Sequence, residues 1–320
     1  MKIMIAGLGS IGRRHLRNLL RLGERDILLF RTGKSTLPDD DLAGFPVESD
    51  LATALARRPE AVIVANPTSL HLEVAIPAAE AGCHLFIEKP VSHSWTRIDD
   101  LRDAVQRGGG QAVVGFQFRL HPSLQEMRRM LREGEVGRPI SARWHWGEYL
   151  PDWHPWEDYH VSYAARSELG GGVVLTQCHG FDYLRWLLGE VAAVWAMTGN
   201  LGGLDLEVED TAEVGLRFVQ GCVGAVHLDY YQRPPLHRIE IIGSEGTIIW
   251  DGWDEAVHVR SAGRETKESK PVPPTFERND MYLEEMRQFL SVIAGESEPV
   301  CSLSDGIAAL EIALAARESA

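Results

Sequence analysis

A glycine-rich turn near the start of the chain constrains its fold more than any other feature. The run Gly7-Leu8-Gly9-Ser10-Ile11-Gly12 fits GxGxxG and follows an apolar segment directly. In this pattern the first glycine permits a tight turn, the second lets a pyrophosphate approach the backbone, and the third lets a helix pack closely on a strand. A helix N-terminus adds partial positive charge. The turn therefore predicts a dinucleotide-binding Rossmann domain, with the cofactor contacted by Gly7, Gly9, Ser10, Ile11 and Gly12.

The first third of the chain alternates short apolar runs with helical patterns. The apolar runs are Ile3–Ala6, Ile27–Phe30, Val62–Ala65, Leu85–Ile87 and Ala112–Gly115. The helical patterns are Ile11–Leu22, Leu70–Ala81 and Trp95–Gln106. Continuous apolar strands separated by helices are typical of a parallel sheet covered on both faces. We therefore predict a doubly wound α/β domain over residues 1–118.

The pattern changes after residue 118. Residues 211–218 alternate apolar and polar side chains, and two predicted hairpins follow, over 211–230 and 237–250. These features predict an α+β domain over 119–302, built on a large, mostly antiparallel open sheet. Residues 261–275 are predicted to form a surface loop, and helices are predicted at Tyr282–Ala294 and Asp305–Ala316. A C-terminal helix over 303–320 is expected to pack back on the first domain.

An open sheet with one uncovered face usually acquires a partner. We therefore expect a homodimer or homotetramer assembled through the sheet of the second domain.

Composition narrows the class of protein. The formal net charge of -14 disfavours nucleic acid as a partner. No run approaches the roughly 20 apolar residues that span a bilayer, and no signal peptide fits the N-terminus, so no membrane partner is expected. The four cysteines form no CxxC pair and are interpreted as reduced thiols. These observations predict a cytoplasmic protein.

The choice of dinucleotide depends on the residues after the second apolar run. An acid there would bind the ribose of NAD, whereas arginine accommodates the 2′-phosphate of NADP. This chain has Arg31-Thr32-Gly33-Lys34-Ser35, without a carboxylate. Arg31, Thr32 and Lys34 are therefore predicted to bind the cofactor, which favours NADP. NAD remains open, because the same residues also suit a solvated basic turn.

Three motifs in order resemble those of one enzyme family. They are GxGxxGxxH ending at His15, Asn66-Pro67-Thr68-Ser69-Leu70-His71, and Glu88-Lys89-Pro90, and Gly243-Ser244-Glu245-Gly246-Thr247 extends the resemblance. They are similar to motifs of the glucose–fructose oxidoreductase / inositol dehydrogenase / MocA (Gfo/Idh/MocA) family. The resemblance implies an NAD(P)-dependent dehydrogenase or reductase acting on CH–OH groups of sugars, inositols or nucleotide sugars. It also implies cofactor contacts from Asn66, Pro67, His71, Glu88, Lys89 and Gln117.

The resemblance further implies a catalytic pair. Lys89 matches the family's active-site lysine, and an ammonium group there can stabilise a developing alkoxide. His179 follows Gly170-Gly171-Gly172 and matches the family's histidine, which suits a general acid/base that also contacts substrate. Asp182 is expected to support it. An aspartate found near position 176 in relatives is missing, and Thr176 is a possible hydrogen-bonding substitute.

Aromatic residues are concentrated between 144 and 163, interleaved with polar groups. Such a segment suits a sugar ring, and we predict substrate contacts from Tyr149, Trp153 and His154. A hydrophobic lid or a subunit interface is an equally good interpretation. No metal site is expected, because the histidines of this segment lack ligand spacing. Arg119 is predicted to hold a carboxylate or phosphate of the substrate, with an ion pair at the domain interface as the alternative.

Two functions from different classes remain at this point. The first is a hydride-transferring oxidoreductase acting on a carbohydrate or nucleotide sugar. The second is a non-catalytic regulatory protein of the same fold that senses the dinucleotide and a sugar. Lys89 and His179 favour the enzyme, whereas the missing aspartate favours the sensor.

Overall fold

A parallel sheet of six strands forms the centre of the N-terminal region. The strands are β1 (Ile3–Ala6), β2 (Ile27–Phe30), β3 (Val47–Glu48), β4 (Ala61–Val64), β5 (His84–Glu88) and β6 (Ala112–Gly115). They lie in the order β3-β2-β1-β4-β5-β6, with every pair parallel. β1 and β4 are buried throughout, which explains their continuous apolar sequences. The strand order reverses between β1 and β4. The loops that follow these two strands therefore lead in opposite directions, and α/β sheets bind ligands at such a point.

The helices follow the strands closely in sequence. They are α1 (Ser10–Arg21), α2 (Leu51–Ala56), α3 (His71–Glu80), α4 (Ile98–Gly108), α5 (Pro122–Arg132), α6 (Val173–Thr176), α7 (His179–Leu188), α8 (Arg278–Ile293) and α9 (Leu303–Ser319). Apolar residues of α1 and α8 share one core cluster with the parallel sheet. None of the helices in the described part of the chain is long and apolar enough to cross a membrane.

A second sheet of eight strands follows. Its strands are β7 (Pro139–Gly147), β8 (Val191–Gly199), β9 (Thr211–Phe218), β10 (Val223–Asp229), β11 (Leu236–Gly243), β12 (Gly246–Asp251), β13 (Ala256–Ser261) and β14 (Glu268–Pro271). The order is β14-β13-β12-β11-β7-β10-β9-β8. Among the described strand pairs of this second sheet, only β7–β10 is parallel. The predicted fold, a parallel α/β domain followed by an α+β domain on a mostly antiparallel sheet, is therefore confirmed.

The structure describes residues 1–33, 37, 42–252, 256–262 and 268–320. These residues form two compact units, one of residues 1–117 with 278–307 and one of 118–277 with 308–320. The first boundary lies beside the predicted one at 118/119. α8 groups with the first unit, where the predicted division placed it in the second. Residues 308–320, which include most of α9, group with the second unit, where Arg317 lies 3.8 Å from Glu209.

One element of the sequence prediction was wrong. Residues 261–275 were expected to form a loop, yet Glu268–Pro271 is a strand that pairs antiparallel with β13. All four of its residues are exposed, so no apolar alternation marks it in the sequence. Its final proline is tolerated because β14 is an edge strand.

Candidate active site

The glycine loop of the first unit has the geometry that its sequence predicts. Gly7 has a φ of +93°, and a Cβ there would lie 2.4 Å from the backbone nitrogen of Asn66. A Cβ on Gly12 would lie 2.0 Å from the carbonyl oxygen of Gly7. A Cβ on Gly9 would meet nothing within 4 Å. Packing therefore requires the first and third glycines, while the second leaves open space at the start of α1, which fits a dinucleotide pyrophosphate.

The start of α1 also suits an anion. Its first turn contains no acidic residue. Ser10 is exposed at the first helical position, and Ile11 packs against the core. The exposed backbone N–H groups and the positive end of the helix dipole favour negative charge at this position.

Arg13 was missed in the sequence analysis, although it lies within the motif. Its side chain is buried, and Nε donates a hydrogen bond of 2.8 Å to the carbonyl of Leu8 inside the glycine loop. Its Nη2 lies 3.4 Å from the carbonyl of Leu37. Arg13 therefore ties the glycine loop to the segment that follows β2. An arginine directly after the third glycine was the available signal.

His15 and Glu88 connect two of the motifs. The imidazole Nε2 of His15 lies 2.6 Å from Oε1 of Glu88, and both side chains are buried. Glu285 of α8 completes this cluster, with one ligand atom from each residue within 4.8 Å of the others. Burial, and then the charge of Glu88, raise the pKa of Glu285 well above its usual range. Burial therefore favours the neutral form of the Glu285 carboxyl.

His71 connects the loops after β4 and β5. Its Nδ1 lies 2.9 Å from the carbonyl of Pro90, and its Nε2 lies 3.0 Å from the carbonyl of Asn66. Burial lowers the pKa of His71, whereas the two carbonyl contacts favour the ring with both nitrogens protonated. The Asn66 side-chain amide in turn donates to Leu70 at 2.9 Å. These bonds fix the turn that carries the half-buried Lys89 at the end of β5.

The remaining predicted cofactor residues have different environments. Arg31 is half-buried directly after β2, and its backbone N–H donates to Glu48 at 3.1 Å. Thr32 is exposed and Pro67 is half-buried. Lys34 lies outside the described residues. Gln117 is buried, and its amide donates to the Tyr282 hydroxyl of α8 at 3.0 Å, so it also serves the core of the first unit.

In the second unit, His179 is the first residue of α7 and is 4% exposed. Its ring stacks on Trp146 at 5.4 Å and meets the edge of Phe118 at 5.0 Å. A Cβ on Gly180 would lie 2.0 Å from the ring of Trp144, so only glycine lets α7 approach β7 this closely. The histidine is therefore held in a defined orientation by aromatic packing.

His237 was missed and belongs to the same aromatic group. It stacks on Trp146 at 4.2 Å, and its Nε2 lies 2.7 Å from the hydroxyl of Tyr183. No local motif marks His237, because it reaches Trp146 through the pairing of β11 with β7.

Arg119 and Asp182 form an ion pair inside the second unit. Arg119 Nη2 lies 2.6 Å and Nε lies 2.9 Å from the two carboxylate oxygens of Asp182. The side chains are 2% and 1% exposed. Asp182 lies one turn after His179 in α7, so the pair anchors the helix that carries the histidine. The partner shown for Arg119 is a carboxylate of the same unit, so this is an ion pair within the unit and not the domain-interface pair named as the alternative above.

Thr176 also has partners inside the unit. Its hydroxyl donates to the carbonyl of Gly172 at 2.8 Å and also forms a short hydrogen bond with the hydroxyl of Tyr230. These bonds hold the glycine-rich entry to α6 against the strand end after β10. The expected substitution of Thr176 for an aspartate that assists His179 remains a prediction.

The aromatic segment divides into two parts with different environments. Trp144 and Trp146 belong to β7 and lie in the core. The residues from 149 onward lie in a loop of short 3-10 turns, where Trp153 and His154 line a shallow recess with Glu157. The ring of Tyr149 lies instead under the guanidinium of Arg233, at 3.9 Å. The loop therefore combines aromatic faces with polar groups.

Two family models match this chain. Residues 1–116 match an oxidoreductase family described as having an NAD-binding Rossmann fold, and residues 124–249 match the GFO/IDH/MocA C-terminal domain. Among curated proteins, the myo-inositol 2-dehydrogenase of Thermotoga maritima is 29% identical over 338 residues. That match covers 100% of this chain and 96% of the relative.

Solved structures share the fold over the whole chain. A levoglucosan dehydrogenase in complex with NADH and levoglucosan superposes with a TM-score of 0.85 at 23% identity. The WlbA dehydrogenase from Bordetella pertussis, in complex with NADH and UDP-GlcNAcA, superposes with a TM-score of 0.82 at 24% identity. Each match covers 100% of this chain and 96% of the other.

Proposed function

This chain belongs to the Gfo/Idh/MocA family and is an NAD(P)-dependent oxidoreductase, and from that premise we propose that it transfers a hydride between nicotinamide and a carbon of a sugar, inositol or nucleotide sugar. The observation that carries the proposal is the glycine loop, open at Gly9 and closely packed at Gly7 and Gly12. The bond between His15 and Glu88 links this loop to the turn that carries Lys89.

We assign proton transfer at the reacting hydroxyl to His179, and stabilisation of its oxygen to Lys89. On oxidation, the substrate C–H bond delivers its hydrogen with two electrons to the nicotinamide, and the O–H proton must leave separately. Imidazole exchanges protons near neutral pH, so His179 takes this proton and returns it in the reverse direction. The ammonium of Lys89 stabilises negative charge on the oxygen. Trp146 and the Arg119–Asp182 pair support this role by restraining His179 and its helix.

For the cofactor, we propose a preference for NADPH over NADH. The support is the cationic Arg31 and the hydroxyl of Thr32 directly after β2, where an NAD-specific chain would carry an acid. Arg31→Asp should reverse the preference, as measured by the dissociation constants of the two reduced cofactors. An unmutated protein that binds NADH at least as tightly as NADPH would refute this part.

The substrate class is proposed from the loop after β7. Trp153, His154 and Tyr149 offer the apolar faces and polar groups that suit a hydroxylated ring. Similar proteins include a myo-inositol 2-dehydrogenase and structures in complex with levoglucosan or UDP-GlcNAcA, and these molecules share that chemistry.

We also propose assembly into a homodimer or homotetramer through the second sheet. Trp195, Met197 and Val223 of this sheet are 58%, 65% and 52% exposed. Apolar side chains exposed to this degree are typical of a contact surface. A single-chain mass by light scattering at micromolar concentration would contradict this.

The function is tested by following nicotinamide absorbance at 340 nm with a panel of inositols, sugars and nucleotide sugars. We expect turnover with at least one member, and its loss in Lys89→Ala. Cofactor binding without turnover on any member would instead indicate the sensing protein.

A further inference from the structure

Three potential metal ligands converge on the second sheet, on the face opposite the buried Trp144 and Trp146. The parallel register of β7 and β10 places His227 beside His145, and Asp229 follows on the same face. Asp229 Oδ2 lies 3.0 Å from Nε2 of His227 and 3.9 Å from Nε2 of His145. One ligand atom from each residue lies within 4.8 Å of the others.

We propose that His145, His227 and Asp229 bind a divalent first-row transition-metal ion of the Zn²⁺ class. Two imidazoles and one carboxylate suit such ions, whereas Mg²⁺ and Ca²⁺ prefer all-oxygen ligand sets. Ligands at about 2.0–2.1 Å from a tetrahedral ion lie roughly 3.3 Å apart. The separations of 3.0 and 3.9 Å around Asp229 need only small side-chain rotations to match this.

Each of the three ligands is oriented by a second group. Nδ1 of His227 donates to Glu213 at 2.6 Å, which directs its Nε2 toward Asp229. Oδ1 of Asp229 accepts from the backbone N–H groups of Tyr231 and Gln232, each at 2.6 Å, which directs Oδ2 toward the histidines. A side-chain hydrogen bond between the His145 ring and Gln232 restrains the third ligand. Carboxylates behind ligating histidines and fixed carboxylate ligands are general features of protein metal sites.

The backbone makes room for this arrangement at Gly147. A Cβ on Gly147 would lie 2.2 Å from Asp229 Oδ2 and 2.4 Å from the Gln232 Cβ. Only glycine therefore lets the carboxylate lie across β7 beside His145. In addition, Nε2 of His145 is buried and has no hydrogen-bond partner within the described ranges. This nitrogen can therefore ligate an ion without breaking a hydrogen bond inside the described part of the chain.

The site is reachable and is not fully enclosed by protein ligands. In a single chain the His145 and His227 side chains are 35% and 29% exposed, so an ion can enter from solvent before subunits assemble on this face of the sheet. Binding replaces the proton between His227 and Asp229, which passes to solvent. Three protein ligands leave one position for water or an external ligand. The site uses none of the residues assigned above to cofactor or substrate, so it stands independently of the proposed reaction.

The test uses the full chain without a histidine tag. Zn²⁺ binding is measured by calorimetry, and Co²⁺ binding by its visible absorption, which reports coordination geometry. We expect one ion per chain in the wild type and in the control His258→Gln, a β13 histidine bonded to Ser269. His145→Gln and His227→Gln should each weaken binding by more than about 100-fold, and Glu213→Gln by about 10–100-fold.

Three outcomes overturn the proposal. The first is a wild-type protein that binds no stoichiometric Zn²⁺ or Co²⁺. The second is wild-type affinity in both His145→Gln and His227→Gln, and the third is an equal loss of affinity in His258→Gln. The melting temperatures of the metal-free variants check that each still folds. Should one histidine variant fail to fold, Glu213→Gln decides, because it leaves all three ligands in place.

Discussion

Replacing Asp182 by asparagine removes one charge from the buried ion pair with Arg119 and keeps the side-chain shape. The two side chains are 2% and 1% exposed, so water cannot replace the lost carboxylate. Breaking a buried pair by removing one partner costs about 3–5 kcal/mol, because the remaining charge stays buried without compensation. We expect Asp182→Asn to lower the free energy of unfolding by that amount.

The change is large enough to measure in two ways. For a unit of roughly 150–250 residues, each 1 kcal/mol shifts the melting temperature by about 2–4 °C, so a fall of roughly 6–20 °C is expected. Urea unfolding gives the free energy directly. The matched control is Glu168→Gln, which breaks the exposed pair with Arg166 in the same unit and should cost less than about 1 kcal/mol.

The same experiment distinguishes the two interpretations of Arg119. If Arg119 mainly anchors α7, stability falls as described. If it mainly binds substrate, Asp182→Asn leaves stability within about 1 kcal/mol of wild type and only the Michaelis constant changes. A stability effect no larger than that of Glu168→Gln would refute the structural role.

Two further predictions follow from packing and burial. Burial lowers the pKa of His121 from 6.5 to about 4. The contribution of the neutral His121 ring to stability is therefore fully present above pH 6.5 and is lost as the pH falls to about 4. The free energy of unfolding falls by at most about 3 kcal/mol over this range. His121→Asn should flatten that loss in urea unfolding at pH 7 and pH 4, and an unchanged profile would contradict it. In Gly12→Ala the new Cβ would lie 2.0 Å from the Gly7 oxygen, so we expect a lower melting temperature of the cofactor-free protein. Gly9→Ala meets no neighbouring atom, so it should leave that melting temperature unchanged and weaken NADPH binding instead. Equal melting temperatures for the two glycine variants would contradict the different roles assigned to these positions.

The first unit was predictable from sequence because its signals are local. β1, the glycine turn and α1 follow one another within residues 3–21, and each glycine has a separate steric reason. The Asn-Pro and Glu-Lys-Pro turns are equally local. What the sequence lacked was the connection between them. The bond from His15 to Glu88 joins residues that are 73 positions apart in the chain.

Glu285 shows why part of the first unit was missed. It lies on the buried face of α8 with Met281 and Phe289, at helical spacing, so an acid at a core position was visible in the pattern. Its partners were not visible, because Glu88 is distant in sequence. A buried acid in an apolar helical stripe therefore indicates a polar cluster whose other members come from elsewhere in the chain.

The second unit was harder because its elements are joined by strand pairing. β7 alternates buried Ala142, Trp144 and Trp146 with outward-facing residues. The sequence analysis instead interpreted the aromatic residues between 144 and 163 as a segment that binds a sugar ring. The juxtaposition of His145 and His227 depends on the one parallel pair among the described strands of that sheet. No spacing rule along the chain predicts such a pair.

The central claim is that His179 transfers a proton in a nicotinamide-dependent reaction. The most direct test is single-turnover hydride transfer at 340 nm by His179→Ala, with the substrate identified from the panel and His258→Gln as the control. We predict that NADPH affinity is unchanged, that the rate falls by about 10²–10⁴-fold, and that the control retains the wild-type rate. A near-normal rate in His179→Ala would contradict it and leave the histidine with a structural role beside Trp146.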